Sequence, residues 1–323
     1  MKKERNPSLE LFRCLLMFGI VLGHAQYQCG HTPPVGSLTE WCVCGFVFMS
    51  GWFGIRFSWR KCLNLAALGV WCAMISNMIC GGKNPLAAML GAKSYGYWFL
   101  WSYIILMMFA PIIDGAIKNA SREGGGGKVI ALVSPIAFLI WGWGFVSGLP
   151  ILRDYLPRPI GLGGLSFLSL IGIYMFVRVY KVLDLSRFFA RKSAMLLLLP
   201  CVALMLLKFS SFAWIISFVV SAIMFELFKR LKVPGWLGRA ALFVAPSTFA
   251  IYLLHMTGGG LGMMTRLEDY LYDQVGVPIL GSYLLTAAVT YVACLMVDIV
   301  RRLALRSPQT FKRMLVVGAR PRA

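Results

Sequence analysis

Residues 9–27 have the sequence LELFRCLLMFGIVLGHAQY, and this almost uninterrupted apolar run decides the fold class. About 20 mostly apolar residues suffice for a helix to cross the hydrocarbon core of a bilayer. Similar runs follow along the chain, and 59% of its 323 residues are hydrophobic against 14% charged. A soluble domain exposes more charge than this. Because the runs are too long and continuous for barrel strands, they predict an all-α, polytopic integral membrane protein.

The apolar runs predict about ten transmembrane helices in a single membrane domain that covers residues 1–323. We place the spans at 9–27, 36–57, 62–80, 96–113, 128–147, 161–180, 193–207, 210–228, 241–257 and 278–300. Their connections are short and rich in Gly, Pro or charge, as in the predicted cytoplasmic turn 124–127. The longest outer segment, 257–277, predicts a short amphipathic helix at the membrane surface. Its apolar and acidic residues at helical spacing are Leu267, Leu271, Val275, Glu268, Asp269 and Asp273.

The net charge of +20 is distributed as short Lys and Arg clusters between the apolar runs. With the N-terminus inside, 25 of the 32 Lys and Arg residues fall in cytoplasmic segments, six in outer loops and Arg13 in the first span. This asymmetry follows the positive-inside rule and predicts a multi-pass protein of the cell inner membrane with both termini cytoplasmic. The clusters, including a basic tail over about 301–323, are predicted to contact anionic membrane lipid, with no nucleic-acid partner.

The first span holds two polar residues at membrane depth, Arg13 and His24. They are eleven residues apart, so in a helix they differ by about 20° and share one face, about 16.5 Å apart along the axis. Glu10 lies one turn before Arg13, in position to pair with it. Such residues are costly in a membrane and often mark a functional site. The alternative is that Arg13 extends to the headgroups and that His24 is an interfacial residue.

A second group of candidate residues lies in and after the second span. Ser50 and Gly51 stand between aromatic residues, a pattern that is typical of a close contact between helices. Arg56, Arg60 and Lys61 follow at the predicted cytoplasmic end. The positive-inside rule explains these three cations, but they are also of the type that binds phosphate.

A third group of candidate residues lies in the predicted ninth span. It consists of Ser247, Tyr252 and His255. Tyr252 and His255 are neighbours on one helical face. The predicted topology puts His255 near the outer side, at a depth like that of His24. The chain has three histidines, and without a pair of carboxylates beside them they do not predict a metal site.

These motifs together resemble the acyltransferase 3 family of membrane acyltransferases. Arg13 and His24, with ten residues between them, are similar to the R-x10-H signature of that family. The other matching segments are Phe48–Phe53 in the second span, Tyr97–Pro111 with Trp98 and Tyr103 in the fourth, and Ser247–His255 for S-x(4)-Y-L-x-H. Two departures from the pattern are Glu10, where the family often has Asp, and an R-x-x-R motif that appears only loosely as Arg56, Arg60 and Lys61.

The resemblance implies transfer of an acyl group, usually acetyl, from cytoplasmic acetyl-CoA to a sugar hydroxyl of a surface polysaccharide or its lipid-linked precursor. No permanently bound cofactor is expected, since acyl-CoA is the donor substrate. The implied catalytic residues are His24 as general base, Arg13, and Glu10 that orients Arg13. The implied CoA-binding residues are Arg13, Ser50, Arg56, Arg60 and Lys61. The implied acceptor-site residues are Trp98, Tyr103, Ser247, Tyr252 and His255.

Two other classes of function compete with this interpretation. A transporter or flippase of a glycan or small solute also uses polar residues near the membrane midplane, although the chain lacks the acidic residues and repeat symmetry of proton-coupled carriers. A structural or assembly protein of the membrane is the third class. Binding of CoA distinguishes the enzyme from both. The sequence leaves open the acceptor sugar and its hydroxyl, the acyl group, the oligomeric state, and a disulfide between Cys29 and Cys42.

Overall fold

A computed structural model describes residues 5–28, 38–80, 97–137, 139, 167–191, 195–206 and 213–305. Over these ranges the chain is helical and contains no strand, as the all-α prediction requires. The helices are α1 (Pro7–Gln28), α2 (Leu38–Phe53), α3 (Trp59–Cys80), α4 (Trp98–Ala137), α5 (Phe167–Val182), α6 (Ser186–Phe189), α7 (Leu198–Leu206), α8 (Ala213–Arg230), α9 (Gly235–Val244), α10 (Thr248–His255), α11 (Gly258–Asp269) and α12 (Ile279–Ala304).

Within the described ranges, five helical segments are long and apolar enough to cross a membrane. They are Pro7–Gln26, Trp59–Ile79, Trp98–Ala137, Gly235–His255 and Ile279–Ala304. The chain is therefore a membrane protein. Each of the ten predicted spans overlaps a described helix, but α2 and several others are shorter than a full span. The number of about ten spans is thus not confirmed and stays a prediction.

Helix α4 covers the predicted turn 124–127 and parts of the two predicted spans on either side of it. The helix continues beyond the predicted end at residue 113 and contains Pro111 without interruption. Its helical backbone breaks at Gly124 and Gly125, where Gly125 has a φ of +60°. Residues with a side chain rarely adopt this left-handed backbone conformation, so the glycine permits the break. The sequence located this turn correctly and ended the preceding helix too early.

Helix α1 lies in the centre of the main core and packs against α2, α8, α9, α10, α11 and α12. Its contact with α2 is close because glycines occur on both helices. A Cβ added at Gly19 would lie 2.5 Å from Cys42 Sγ, and one added at Gly45 would lie 2.7 Å from Leu16. Small residues allow this kind of approach between helices in membranes. Packing against six other helices holds the Arg13–His24 face of α1 in a fixed orientation.

The predicted ninth span is broken into two helices at Pro246. Helix α9 ends at Val244, a 3₁₀ turn covers Ala245–Ser247, and α10 begins at Thr248. Proline has no backbone N–H and its ring clashes with the preceding turn, so a continuous α-helix is unfavourable here. Interrupted backbone at membrane depth is tolerated where it lines a cavity, and Ala245 and Pro246 do line one.

The predicted surface helix in segment 257–277 is present as α11, followed by a π-helical turn at Tyr270–Gln274. The prediction that its acidic residues are exposed and its apolar residues are buried is partly wrong. Glu268 is buried and accepts a hydrogen bond of 3.3 Å from Ser282 Oγ on α12, whereas Val275 is exposed. A carboxylate that is hydrogen-bonded to a neighbouring helix can be buried, which periodicity along one helix does not reveal.

Candidate active site

The predicted ion pair between Glu10 and Arg13 is present on α1. Arg13 Nη1 lies 2.9 Å from Glu10 Oε2, and Arg5 Nε lies 3.9 Å from Glu10 Oε1. Only 6% of Glu10 is exposed. Because a buried carboxylate is stabilised by a neighbouring cation, Glu10 and Arg13 hold each other in place. We call this part of α1 the Arg13 end and the part around His24 the His24 end.

A cavity of about 660 Å³ opens at the Arg13 end. The cations that line it are Arg5, Arg13, Arg56, Lys61 and Arg301. Among its described lining residues there is no carboxylate. The cavity is therefore strongly positive, and it brings together Arg13, Arg56 and Lys61 as the resemblance implied.

Ser50 and Tyr103 lie on the wall of this cavity and contact each other. Ser50 Oγ is 3.3 Å from Tyr103 Oη and also donates to the Phe46 carbonyl at 3.0 Å. The two hydroxyls add uncharged polar groups to the cavity wall. Sequence reasoning placed Ser50 with the donor and Tyr103 with the acceptor, whereas the structure places both on the same basic cavity.

Arg301 is a cavity residue that sequence reasoning assigned to the lipid-contacting tail. Its Nε and Nη2 atoms both lie 2.7 Å from Asp298 Oδ1, and its guanidinium is 5.5 Å from the Trp71 ring. Asp298 is fully buried. Asp298 and the Trp71 ring together hold the Arg301 guanidinium on the cavity wall. Residues 306–323 of the predicted tail lie outside the described residues.

A polar network holds the non-helical segment 54–58, which carries Arg56. The Ile55 N–H donates to Tyr174 Oη at 3.1 Å, and Tyr174 Oη donates to Asp114 Oδ1 at 3.0 Å. Arg178 Nε lies 2.7 Å from the same Asp114 oxygen. We call Asp114, Tyr174 and Arg178 the loop anchor, because together they tie this segment to α4 and α5.

The loop anchor was missed in the sequence, although it left a signal there. Arg178 lies inside a predicted span, and a charge at membrane depth needs an explanation. It was attributed to the cytoplasmic charge bias instead. Arg178 Nη1 also donates to the Gly51 carbonyl at 3.1 Å, at the end of α2. Gly54, with φ of +79°, then lets the chain turn away from the helix.

An aromatic cluster of Phe99, Tyr103, Phe249 and Tyr252 forms part of the cavity wall and extends behind it. Phe99 has ring-centroid distances of 5.7 Å to Tyr103, 6.2 Å to Phe249 and 5.6 Å to Tyr252. Three of the four residues line the cavity, and Tyr252 contacts His255 at 5.9 Å between ring centroids. The cluster therefore connects the cavity to the His24 end of α1.

His24 and His255 form a pair at the His24 end. His24 Nδ1 lies 2.9 Å from His255 Nε2, and His255 Nδ1 lies 2.7 Å from the Ile251 carbonyl oxygen. His255 is fully buried, whereas His24 is half-buried. The predicted similar depth of the two histidines is thus a direct contact in the structure. A half-buried imidazole with a buried partner is suited to proton transfer.

Three predicted site residues belong neither to the cavity lining nor to the ion pair, the aromatic cluster or the histidine pair described above. Arg60 is exposed in the first turn of α3, and Trp98 is half-buried with its ring 5.7 Å from that of Phe99. Ser247 is fully buried and accepts a hydrogen bond of 2.7 Å from Arg302 Nη1. Within the described ranges, no group of three or more metal-binding side chains was found.

Cys29, half of the disulfide that the sequence left open, lies outside the described residues. Its partner position, Cys42, is buried in the contact between α1 and α2.

Comparison with known proteins identifies the family of the chain. No curated protein and no solved structure matches the chain significantly. The sequence model of a family described as an acyltransferase domain matches residues 6–298. This match includes both ends of α1, every cavity residue except Arg5 and Arg301, and the histidine pair. The protein with this basic cavity and histidine pair therefore belongs to the acyltransferase 3 family.

Proposed function

We propose that the protein is an O-acyltransferase of the cell inner membrane that transfers an acetyl or other acyl group from acyl-CoA to a sugar hydroxyl. The acceptor would be a surface polysaccharide or its lipid-linked precursor. One observation carries the proposal: a single buried helix, α1, supplies a cation to a basic cavity and a histidine to a buried pair. Transport, the competing function, has no comparable support in this arrangement.

The charge of the cavity supports a donor with several phosphates. Acyl-CoA carries a diphosphate and a 3′-phosphate, and five cations line the cavity. Arg13 and Arg301 are each paired with an acid, whereas neither Arg56 nor Lys61 has an ion-pair partner among the described residues. Guanidinium groups bind phosphate through paired hydrogen bonds. The nucleotide end of the donor would lie here, with Arg56 and Lys61 contributing unpaired charge.

The length of α1 supports the position of the thioester. About 16.5 Å of helix separates Arg13 from His24, a distance that an extended pantetheine arm can follow. The arm would pass the aromatic cluster, whose apolar rings suit its methylene and methyl groups. Its thioester would then lie near His24.

The proposed reaction is a direct transfer. His24 takes the proton from the acceptor hydroxyl as the hydroxyl oxygen bonds to the thioester carbonyl carbon. The carbon–sulfur bond breaks when the tetrahedral adduct collapses, and the proton passes from His24 to the CoA thiolate. The products are the sugar ester and CoA–SH. Tyr252 stays assigned to the acceptor side, near His24, and Trp98 and Ser247 stay predictions there.

Both termini would be cytoplasmic, so that acyl-CoA reaches the cavity from inside. Gly127, which has open space around it, and His31 offer labelling positions on opposite predicted sides. On a background without reactive thiols, Cys at position 31 should react with an impermeant maleimide from outside. Gly127→Cys should react only from the cytoplasm. The reverse pattern would contradict the orientation.

A direct experiment tests the transfer itself. The purified protein in liposomes should bind CoA and release CoA–SH from acetyl-CoA when a lipid-linked glycan is added. Cells that lack the protein should lose the matching O-acetyl signals from their surface glycans by NMR and mass spectrometry. CoA binding without any change in glycan acylation would overturn the acceptor assignment. Absence of CoA binding would overturn the enzyme proposal.

A further inference from the structure

The contacts of the histidine pair determine where its protons lie. A carbonyl oxygen only accepts hydrogen bonds, so His255 Nδ1, 2.7 Å from the Ile251 oxygen, must carry a hydrogen. His255 is fully buried, and its described hydrogen bonds include no carboxylate. A buried imidazolium without an acid beside it is costly. His255 is therefore neutral, and its Nε2 atom is an acceptor.

The second hydrogen bond then has only one possible direction. His24 Nδ1 lies 2.9 Å from this accepting Nε2 atom, so His24 Nδ1 is the donor. A neutral imidazole carries one N–H, which leaves His24 Nε2 unprotonated. None of the described hydrogen bonds of His24 uses Nε2. This nitrogen is the basic atom of the pair.

We propose that His255 is a positioning residue that holds His24 as the Nδ1–H tautomer, with Nε2 free to accept the proton of the acceptor hydroxyl. The proposal rests on the proposed function, in which His24 is the base. It replaces the acceptor-binding role that the sequence suggested for His255. The Ile251 carbonyl, His255 and His24 form a chain in which each member orients the next, as the third group of a catalytic triad does.

This series of hydrogen bonds also stabilises the positive charge that His24 acquires during transfer. When His24 Nε2 binds the hydroxyl proton, the Nδ1–H bond to neutral His255 strengthens, because one partner is now charged. When His24 returns that proton to the CoA thiolate, the original tautomer is restored. No net proton is gained or lost by the pair.

The ring and the backbone of His255 both have packing contacts. The Tyr252 ring contacts it at 80° between planes, and the start of α11 lies against its backbone. A Cβ added at Gly260 would lie 2.8 Å from the His255 carbonyl oxygen. Thr257 Oγ1 accepts from the Gly260 N–H at 3.0 Å and fixes this contact. The orientation of His255 is thus set by the fold in the absence of substrate.

The tautomer can be measured directly, because the chain has only three histidines. In a His31→Gln protein labelled with ¹⁵N-histidine, solid-state NMR in lipid should show two neutral rings, both protonated at Nδ1. In the His255→Leu variant of this protein, the His24 signal should change to Nε2–H, which predominates in unconstrained imidazole. A purely structural role of His255 predicts no such change. Detection of Nε2–H on His24 in the His31→Gln protein would overturn the proposal.

Matched variants test the consequence for turnover. Gln at position 255 places an amide oxygen near the Nε2 position and can accept from His24, whereas Leu cannot. His255→Leu should lower kcat about 10²–10⁴-fold, with the KM for acyl-CoA nearly unchanged, since it removes correct general-base positioning. His255→Gln should recover at least tenfold of this loss. Equal turnover of the Leu and Gln variants would contradict the orienting role.

The two proposals can fail separately. The NMR result does not need catalytic activity, so the Nδ1–H tautomer would stand even if no acyl transfer were detected. Conversely, acyl transfer with His24 protonated at Nε2 would leave the enzyme proposal intact and overturn only the role of His255.

Discussion

The two ends of α1 differ in their charged groups and in their hydrogen bonds. The Arg13 end borders an open cavity where exposed cations outnumber their acidic partners. At the His24 end, the half-buried His24 is hydrogen-bonded to the fully buried His255, which in turn contacts the Ile251 carbonyl oxygen. One helix therefore places a cation on the cavity and a histidine in the buried pair, to which we have assigned donor binding and proton transfer. Mutations at the first end should affect mainly donor affinity, and mutations at the second mainly turnover.

The largest expected effect is at His24. His24→Ala should lower kcat about 10²–10⁴-fold, because it removes the general base, while CoA binding changes little. Calorimetry with CoA and a radiolabelled acetyl-transfer assay measure the two quantities separately. Normal membrane insertion of the variant is the necessary control. Turnover near wild type in an inserted His24→Ala protein would defeat the mechanism, and lost CoA binding would break the separation between the ends.

Substitution of Arg13 should weaken CoA binding more than it lowers kcat, which is the opposite of the pattern expected at His24. Hydrogen bonds to charged groups contribute about 1.5–3 kcal/mol, so Arg13→Ala should weaken CoA binding about 10–100-fold. The change also leaves the buried Glu10 carboxylate without its closest cation. The double variant Glu10→Gln, Arg13→Ala removes this secondary cost, and Arg13→Lys should retain part of the affinity. Unchanged CoA affinity in Arg13→Ala would reduce Arg13 to a lipid anchor.

Arg56 and Arg60 provide a matched comparison within the Arg13 end. They carry the same charge four residues apart, but only Arg56 lines the cavity. Arg56→Ala should raise the KM for acyl-CoA about tenfold, and Arg60→Ala less than twofold at 0.15 M salt, where distant charges are screened to roughly 8 Å. Steady-state kinetics of both variants measure the two KM values for acyl-CoA. Equal effects would mean that overall charge attracts the donor and that the cavity does not bind it.

The smallest effect is expected at the loop anchor. Asp114→Asn keeps the shape of the side chain but removes the charge that pairs with Arg178 and accepts from Tyr174. One hydrogen bond is worth about 1 kcal/mol, so the KM for acyl-CoA should rise about fivefold with kcat unchanged. Tyr174→Phe, which removes the hydrogen bonds of the Tyr174 hydroxyl to Ile55 and to Asp114 but keeps the Asp114–Arg178 ion pair, should give a similar value. A fall in kcat alone would place the loop anchor in catalysis.

Several features of the site could be predicted from the spacing of residues along one helix. The Glu10–Arg13 pair and the shared face of Arg13 and His24 follow from helical geometry, which is local and nearly invariant. Ser50 and Arg56, which the family resemblance named as CoA-binding residues, line the same cavity as Arg13. The separation of Arg56 from Arg60 was not predictable, because the helix of residues 36–57 was expected to continue where the chain turns at Gly54.

The sequence by itself determined the membrane class, the helical secondary structure and the acyltransferase family, because these depend on apolar run length and on motifs within single segments. Only the tertiary structure decided that His255 contacts His24, that Arg301 belongs to the cavity and that Glu268 is buried. These are contacts between different helices. They depend on how each helix is rotated against its neighbours, and no periodicity within one segment contains that information.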